Sequence, residues 1–120
     1  MKESYNNKGI YGENIAGGYL KTKGYTILAS RFKCNYGEVD IIASKDGVLV
    51  FAEVKLRTTV SKGIGALSVT KAKQQRIIRT ATYYLAKFTP IYRSIRFDVL
   101  DIFGREFFEV NHIENAFYAE

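Results

Sequence analysis

Apolar residues crowd both sides of Lys45-Asp46-Gly47-Val48, and this arrangement predicts a β-hairpin. An Asp-Gly pair between strand-like segments signals a two-residue type I′ turn, which needs both turn residues at positive φ. That turn pairs Lys45 with Val48, Ala43 with Val50 and Ile41 with Ala52, and it puts Asp40 opposite Glu53 and Glu38 opposite Lys55. Val39, Ile41 and Ala43 then face Val54, Ala52 and Val50 across one apolar surface. Near the turn, Ile42, Leu49 and Phe51 make the other surface apolar as well. Strands apolar on both faces belong inside a sheet covered by helices, so the hairpin is expected to be central.

The helical pattern appears twice. Tyr11 to Lys23 carries Ile15, Ala16, Tyr19 and Leu20 at helical spacing, with Gly24 placed as a stop. Gly12, Gly17 and Gly18 weaken an isolated helix, so this one needs packing against the sheet. Lys71 to Phe88 carries the stripe Ile77, Ala81, Tyr84, Leu85 and Phe88, with Thr70 as N-cap and Thr89-Pro90 as terminator. Tyr25 to Phe32, Arg96 to Phe103 and Glu106 to Val110 read as strands, and Ser61 to Gly65 as a flexible loop that lacks a P-loop's lysine and hydroxyl. The predicted order is helix, three strands, helix, two strands. It describes a mixed α/β domain over residues 1–120.

Composition narrows the chemistry. With Cys34 the sole cysteine and His112 the sole histidine, neither a disulfide nor a Cys/His zinc site can form within the chain. Carboxylates, lysines and hydroxyls remain. No stretch has the apolar core of a secretory signal or the ~20 residues of a membrane span, so the expected location is the cytoplasm, with no membrane partner. The net charge is +6, unevenly spread. From Val54 to Arg96 there are ten basic residues and no acid, among them Lys71, Lys73, Arg76 and Arg79 on the second helix; from Phe97 onward six acids accompany only Arg105. A one-signed segment of this kind suits a phosphate backbone, although a solvated helix face has the same composition.

The hairpin register supplies the candidate site. Two facing carboxylates repel by about 4 kcal/mol at ~4 Å and an effective dielectric near 20, unless a cation or proton lies between them. Asp40 and Glu53 are therefore expected to hold a divalent ion, Mg²⁺ or Mn²⁺, with the Val54 backbone carbonyl as a further ligand. Lys55, two residues on, would orient a water or offset charge on a phosphoryl group. Glu38 is open to three roles: ligand, water holder, or partner that fixes Lys55. A cross-strand Glu-Lys pair on an ordinary sheet face would also account for Glu38 and Lys55, but it leaves Asp40 against Glu53 unexplained.

Asp40, twelve intervening residues, then Glu53-Val54-Lys55 resembles the D…E-x-K signature of the PD-(D/E)xK nuclease superfamily. More closely, the chain resembles the bacterial YraN family, which is assigned to that superfamily and is similar to archaeal Holliday-junction resolvases. Seven ordered segments carry the likeness: Gly12-Glu13-Asn14 with Ala16, Gly24-Tyr25, Gly37-Glu38-Val39-Asp40, Phe51-Ala52-Glu53-Val54-Lys55 with Arg57, Val69-Thr70 with Lys73-Gln74, Arg96-Phe97-Asp98-Val99, and Asn115-Ala116-Phe117. One departure is Val39, which stands where the superfamily's name has proline. The resemblance implies a restriction-endonuclease-like fold, with Glu13 as an extra metal ligand or water holder. It also implies that Lys73 and Gln74 reach phosphate from the second helix beside Arg57.

The expected function is metal-dependent hydrolysis of DNA phosphodiesters, with branched DNA among the substrates. Two other readings stand beside it: a nuclease-fold module that grips nucleic acid without cutting, and an interaction protein whose acidic C-terminal strands meet a basic partner or a second copy in a homodimer. Of Tyr83, Tyr84 and Tyr92, core packing is the first expectation and base stacking the second. His112 and Cys34 are expected to be structural.

Overall fold

The computed structural model describes residues 2–58 and 69–119. The elements are α1 (Lys2–Thr22), β1 (Thr26–Cys34), β2 (Gly37–Lys45), β3 (Val48–Arg57), α2 (Lys71–Phe88), β4 (Ser94–Gly104) and β5 (Phe108–Phe117). They follow the predicted order. The Ser61–Gly65 loop lies outside the described residues.

The five strands form one sheet in the order β1-β2-β3-β4-β5, with β3 and β4 parallel and the other neighbours antiparallel. The hairpin β2-β3 is central, as its two apolar faces require. Asp46 and Gly47 have φ of 52° and 81°, the two positive values a type I′ turn needs, and the ladder runs from Lys45–Val48 to Ile41–Ala52 in the predicted register. The Gly47 carbonyl accepts from the Arg93 N–H at 2.7 Å, which ties the turn to the segment between α2 and β4.

Each helix covers one face. Ala16 and Leu20 of α1 pack with Ile41, Ala43, Val50, Ala52, Leu100 and Ile102. On the opposite face Ile77, Ala81 and Tyr84 of α2 pack with Ile42, Leu49, Phe51, Phe97 and Val99. Gly12 explains one glycine of α1: a Cβ there would lie 3.2 Å from the Leu56 Cβ, so its absence lets the helix approach β3. Gly17 and Gly18 face open space, so close approach does not account for them.

One face assignment needs correction. Val39 does not share the α1 side with Ile41 and Ala43; it packs on the α2 side with Ile42 and Phe51. Strict alternation would put residues 39 and 42 on opposite faces, so β2 changes face around Asp40. Its neighbour β1 does the same, with Ala29 and Phe32 on the α2 side and Arg31 between them at φ 55°. The paired irregularity sits where the site is built.

Candidate functional site

The hairpin ladder ends at Ile41–Ala52, one pair before Asp40 would meet Glu53. Asp40 instead turns its side chain into the gap and accepts the Val54 N–H at 2.8 Å through Oδ2. The two carboxyls line the same cleft and Glu53 raises the Asp40 pKa, so the like-charge pair read from the register is present without a regular ladder pair. Val54 lines the site and enters it through its amide, which donates to Asp40.

The carboxyls open into a cleft of about 530 Å³ lined by Gly12, Glu13, Arg31, Glu38, Asp40, Glu53, Val54, Lys55, Leu56 and Lys73. Three elements carry the acids: α1 supplies Glu13, β2 supplies Glu38 and Asp40, and β3 supplies Glu53. One carboxylate oxygen each from Glu13, Glu38 and Asp40 lies within 4.8 Å of the other two. Glu53 is 4% exposed and faces two lysines: Lys55 Nζ is 3.4 Å from Oε2, and Lys73 Nζ from α2 contacts the same oxygen. Lys55 therefore meets Glu53, and Glu38 is instead held 3.6 Å from Arg31 Nε.

The electrostatics follow from that crowding. Burial and then the neighbouring Glu53 raise the Asp40 pKa from 3.8 to about 7, with the Val54 N–H acting against the rise. Burial also raises Glu13, helped by Glu38 and Glu53 and opposed by Arg31. Lys55 is lowered by burial and by Lys73 beside it. For Lys73 burial pulls the other way, but its contact with Glu53 prevails and raises it. The cleft gathers four acids, Glu13, Glu38, Asp40 and Glu53, against three cations, Lys55, Lys73 and Arg31, and Asp40 at neutral pH keeps a proton for part of the time.

The remaining sequence candidates divide. Arg76 and Arg79 are exposed on α2, and Lys71 is exposed in its first turn. Gln74 Nε2 donates to the Val69 carbonyl at 3.1 Å, across the start of the helix. Arg57 is turned to Asp101, with Nε and Nη2 at 3.0 and 2.9 Å from its two oxygens, and stacks over Phe103. Arg31 was not anticipated. It bridges Glu13 and Glu38 at 3.6 Å each, and only its φ of 55° directs it there, which no local sequence signal announces.

The model of the family described as "Uncharacterised protein family UPF0102" matches residues 12–102. The chain belongs to UPF0102. This is the YraN family of the sequence resemblance. A UPF0102 protein of Clostridium perfringens is 42% identical over 120 residues, covering 98% of each chain. One from Lachnoclostridium phytofermentans is 43% identical over 113 residues, covering 93% of each, and one from Chlorobaculum parvum is 44% identical over 117 residues, covering 91% of this chain and 90% of its own. The segment matched by the UPF0102 model contains every residue that lines the cleft. Among the described residues, no helix is long and apolar enough to cross a membrane.

Proposed function

We propose that the chain is a divalent-metal-dependent endonuclease of the PD-(D/E)xK type that hydrolyses DNA phosphodiesters. The observation that carries this reading is the acidic cluster: three carboxylate oxygens within 4.8 Å of one another, with Arg31 bridging Glu13 and Glu38 and Asp40 raised to about 7. Hard oxygen donors at mutual distances that one ion can span suit Mg²⁺ or Mn²⁺ and offer nothing to a softer metal. Asp40 would hold the ion, with Glu13, Glu38 and Glu53 grouped around it. When bound, such an ion polarises a phosphoryl oxygen and makes a coordinated water more acidic.

The chain's own residues supply the rest. The Val54 N–H fixes the orientation of the Asp40 carboxylate. Lys55, whose pKa is lowered by burial and by Lys73 beside it, would orient the attacking water, and the lowering favours the neutral amine, the form that can accept a proton from that water, more than at an ordinary surface lysine. Lys73 stays charged against Glu53 and opposes the negative charge that grows on a phosphate in the transition state. Arg76 and Arg79 continue the positive surface along α2 and meet the backbone of the nucleic acid.

The test incubates the purified protein with single-stranded, duplex and four-way-junction DNA and with RNA, in Mg²⁺, Mn²⁺ or EDTA, beside Asp40→Asn and Glu53→Gln. Metal-dependent cleavage of DNA that both substitutions abolish is the expected result. Cleavage that survives both would remove the mechanism. Binding without cleavage in every metal would favour a non-catalytic module, and a solution mass of two chains without nucleic-acid binding would favour the interaction protein.

A further inference from the structure

On the outer side of α2, away from the carboxylates, a second cleft of about 380 Å³ is lined by Tyr36, Arg79, Thr82, Tyr83 and Ala86. Tyr36 and Tyr83 are 51% and 38% exposed, an unusual state for two rings beside one another when the next residue, Tyr84, is buried against Phe51 and Phe32. The core therefore uses Tyr84 and leaves Tyr83 facing outward.

The Tyr83 ring is held on two sides. Phe32 lies 6.2 Å from the Tyr83 ring, and Lys87 Nζ sits 5.7 Å above it. Tyr36 belongs to the turn between β1 and β2. The following residue, Gly37, lies against α2, where a Cβ would be 3.4 Å from Arg76 Cβ and from Thr80 Oγ1. Two exposed rings around a space with an arginine in its wall offer a stacking platform, because every base has a π-face and the guanidinium can meet the phosphate.

We propose that this cleft takes an unpaired base of single-stranded DNA, stacked against Tyr36 and Tyr83, and that α2 conducts the strand from there to the carboxylate cleft. The proposal deepens the nuclease reading and takes its partner from it. Charge agrees with this occupant: Arg76, Arg79 and Lys87 recur along the same side of α2 at helical spacing, within a sequence segment free of acids from Val54 to Arg96. Distance agrees too. Lys73, in the carboxylate cleft, and Tyr83 are ten residues apart, or about 15 Å along the helix axis, which spans about four stacked nucleotides. A base inside a duplex has both faces covered by its neighbours and cannot enter, so the platform selects unpaired strand.

The test measures binding in EDTA, where cleavage plays no part. Fluorescent oligo(dT) of about 12 nucleotides, a duplex of the same length and oligo(U) are titrated with the full chain and with Tyr36→Ala, Tyr83→Ala and Tyr83→Phe, after circular dichroism has shown each variant folded. Each alanine is expected to weaken oligo(dT) binding by roughly 5- to 150-fold, with Tyr83→Phe near the parent and duplex binding altered less than about twofold. Unchanged oligo(dT) affinity in the alanine variants would overturn the proposal, as would an equal loss on duplex or tighter binding of oligo(U) than of oligo(dT). A chain that binds oligo(dT) through the two rings yet cuts nothing would sink the nuclease reading alone. One that cuts in Mg²⁺ with both tyrosines dispensable for binding would sink only the platform.

Discussion

Asp40 and Asp98 are both acids placed inside the same sheet, on β2 and β4, and the protein treats them in opposite ways. Asp98 is fully buried and fully answered: Arg96 Nε donates to Oδ1 and Nη2 to Oδ2, each at 2.9 Å, His112 Nε2 lies 2.7 Å from Oδ2, and the Asn115 N–H donates to Oδ1 at 3.1 Å. Burial alone would raise its pKa, but these partners outweigh burial and lower it. Asp40 has one backbone donor and shares its surroundings with Glu53 and Glu13, and its pKa rises to about 7. Asp101, gripped by Arg57, follows the Asp98 pattern. Asp98 and Asp101 have arginines bonded to their carboxylates, whereas Asp40 has a backbone donor and an acid, Glu53, beside it. This contrast, more than the number of acids, separates the site from the scaffold.

The contrast breaks most sharply by substitution. Asp98→Ala removes the acceptor shared by Arg96, His112 and the Asn115 N–H, leaving the partly buried Arg96 with Tyr25 and Glu114, and should cost about 3 kcal/mol in urea unfolding. Asp40→Asn removes a repelled charge and should leave stability at neutral pH unchanged or increased. A large loss from Asp40→Asn, equal to that of Asp98→Ala, would mean that both acids serve the fold.

Acidity tests the same contrast without a large change in structure. Folded Asp40 binds its proton up to about pH 7, while in the unfolded chain it releases it near 3.8, so the folded state holds more protons between those values. The stability linked to Asp40 is complete at the acid end and is lost as pH rises through about 7, by at most about 4 kcal/mol. Asp98 works in the other direction: its stability is present above the ordinary carboxylate pKa and is lost as pH falls through its lowered value. Unfolding midpoints between about pH 5 and about pH 8 should therefore decline for the parent chain and become flatter in Asp40→Asn. A slope that persists in the variant would assign the effect to other groups.

A cation should cancel that decline. At a hundredfold excess over its dissociation constant, Mg²⁺ is expected to stabilise the folded chain by about 2.7 kcal/mol near pH 8 and by far less near pH 5, where protons compete for the carboxylates. Asp40→Asn should lose most of this gain and Asp98→Asn, if it folds, should keep it. A thermal-unfolding series against Mg²⁺ concentration at the two pH values decides the matter.

Much of the scaffold was legible because it is written locally. Asp46-Gly47 set the hairpin register, Thr70 and Thr89-Pro90 bounded α2, and continuous apolar strands located the centre of the sheet. The errors come from contacts between distant segments. Val39 changes face because β1 and β2 are irregular together around Arg31 and Asp40, and neither residue belongs to a type that marks such a break. The early part of α1, from Lys2 to Ile10, has no apolar period to announce a helix, and it forms one all the same. At the site, the hairpin register grouped Glu38, Asp40, Glu53 and Lys55, the family resemblance added Glu13, Lys73 and Gln74, and all of these except Gln74 line one cleft. The partners of Asp98 were illegible: His112 reaches it across the β4–β5 pairing, whose register shifts between Phe97 and Val99, and alternation on a single strand contains no trace of that shift.

The smallest expected effect joins the scaffold to the site. Thr70 Oγ1 accepts the Lys73 N–H at 3.2 Å and caps α2, so the residue that orders the first turn of the helix also fixes the backbone of the lysine that contacts Glu53. Thr70→Ala should cost about 1 kcal/mol of stability, and Thr70→Ser, which keeps the hydroxyl, only a fraction of that. Because the Asp98 network lies on β4 and β5, far from this cap in the chain, its response to pH should not change. The carboxylate cleft should respond: with the first turn frayed, Lys73 spends less time on Glu53, its countercharge weakens, and the decline in stability as pH rises through about 7 extends to higher pH. Amide hydrogen exchange at Lys73 reports the fraying, and unfolding midpoints across the same pH range report its effect on the acids. Faster exchange with an unaltered pH profile would show that Lys73 reaches Glu53 without help from the cap.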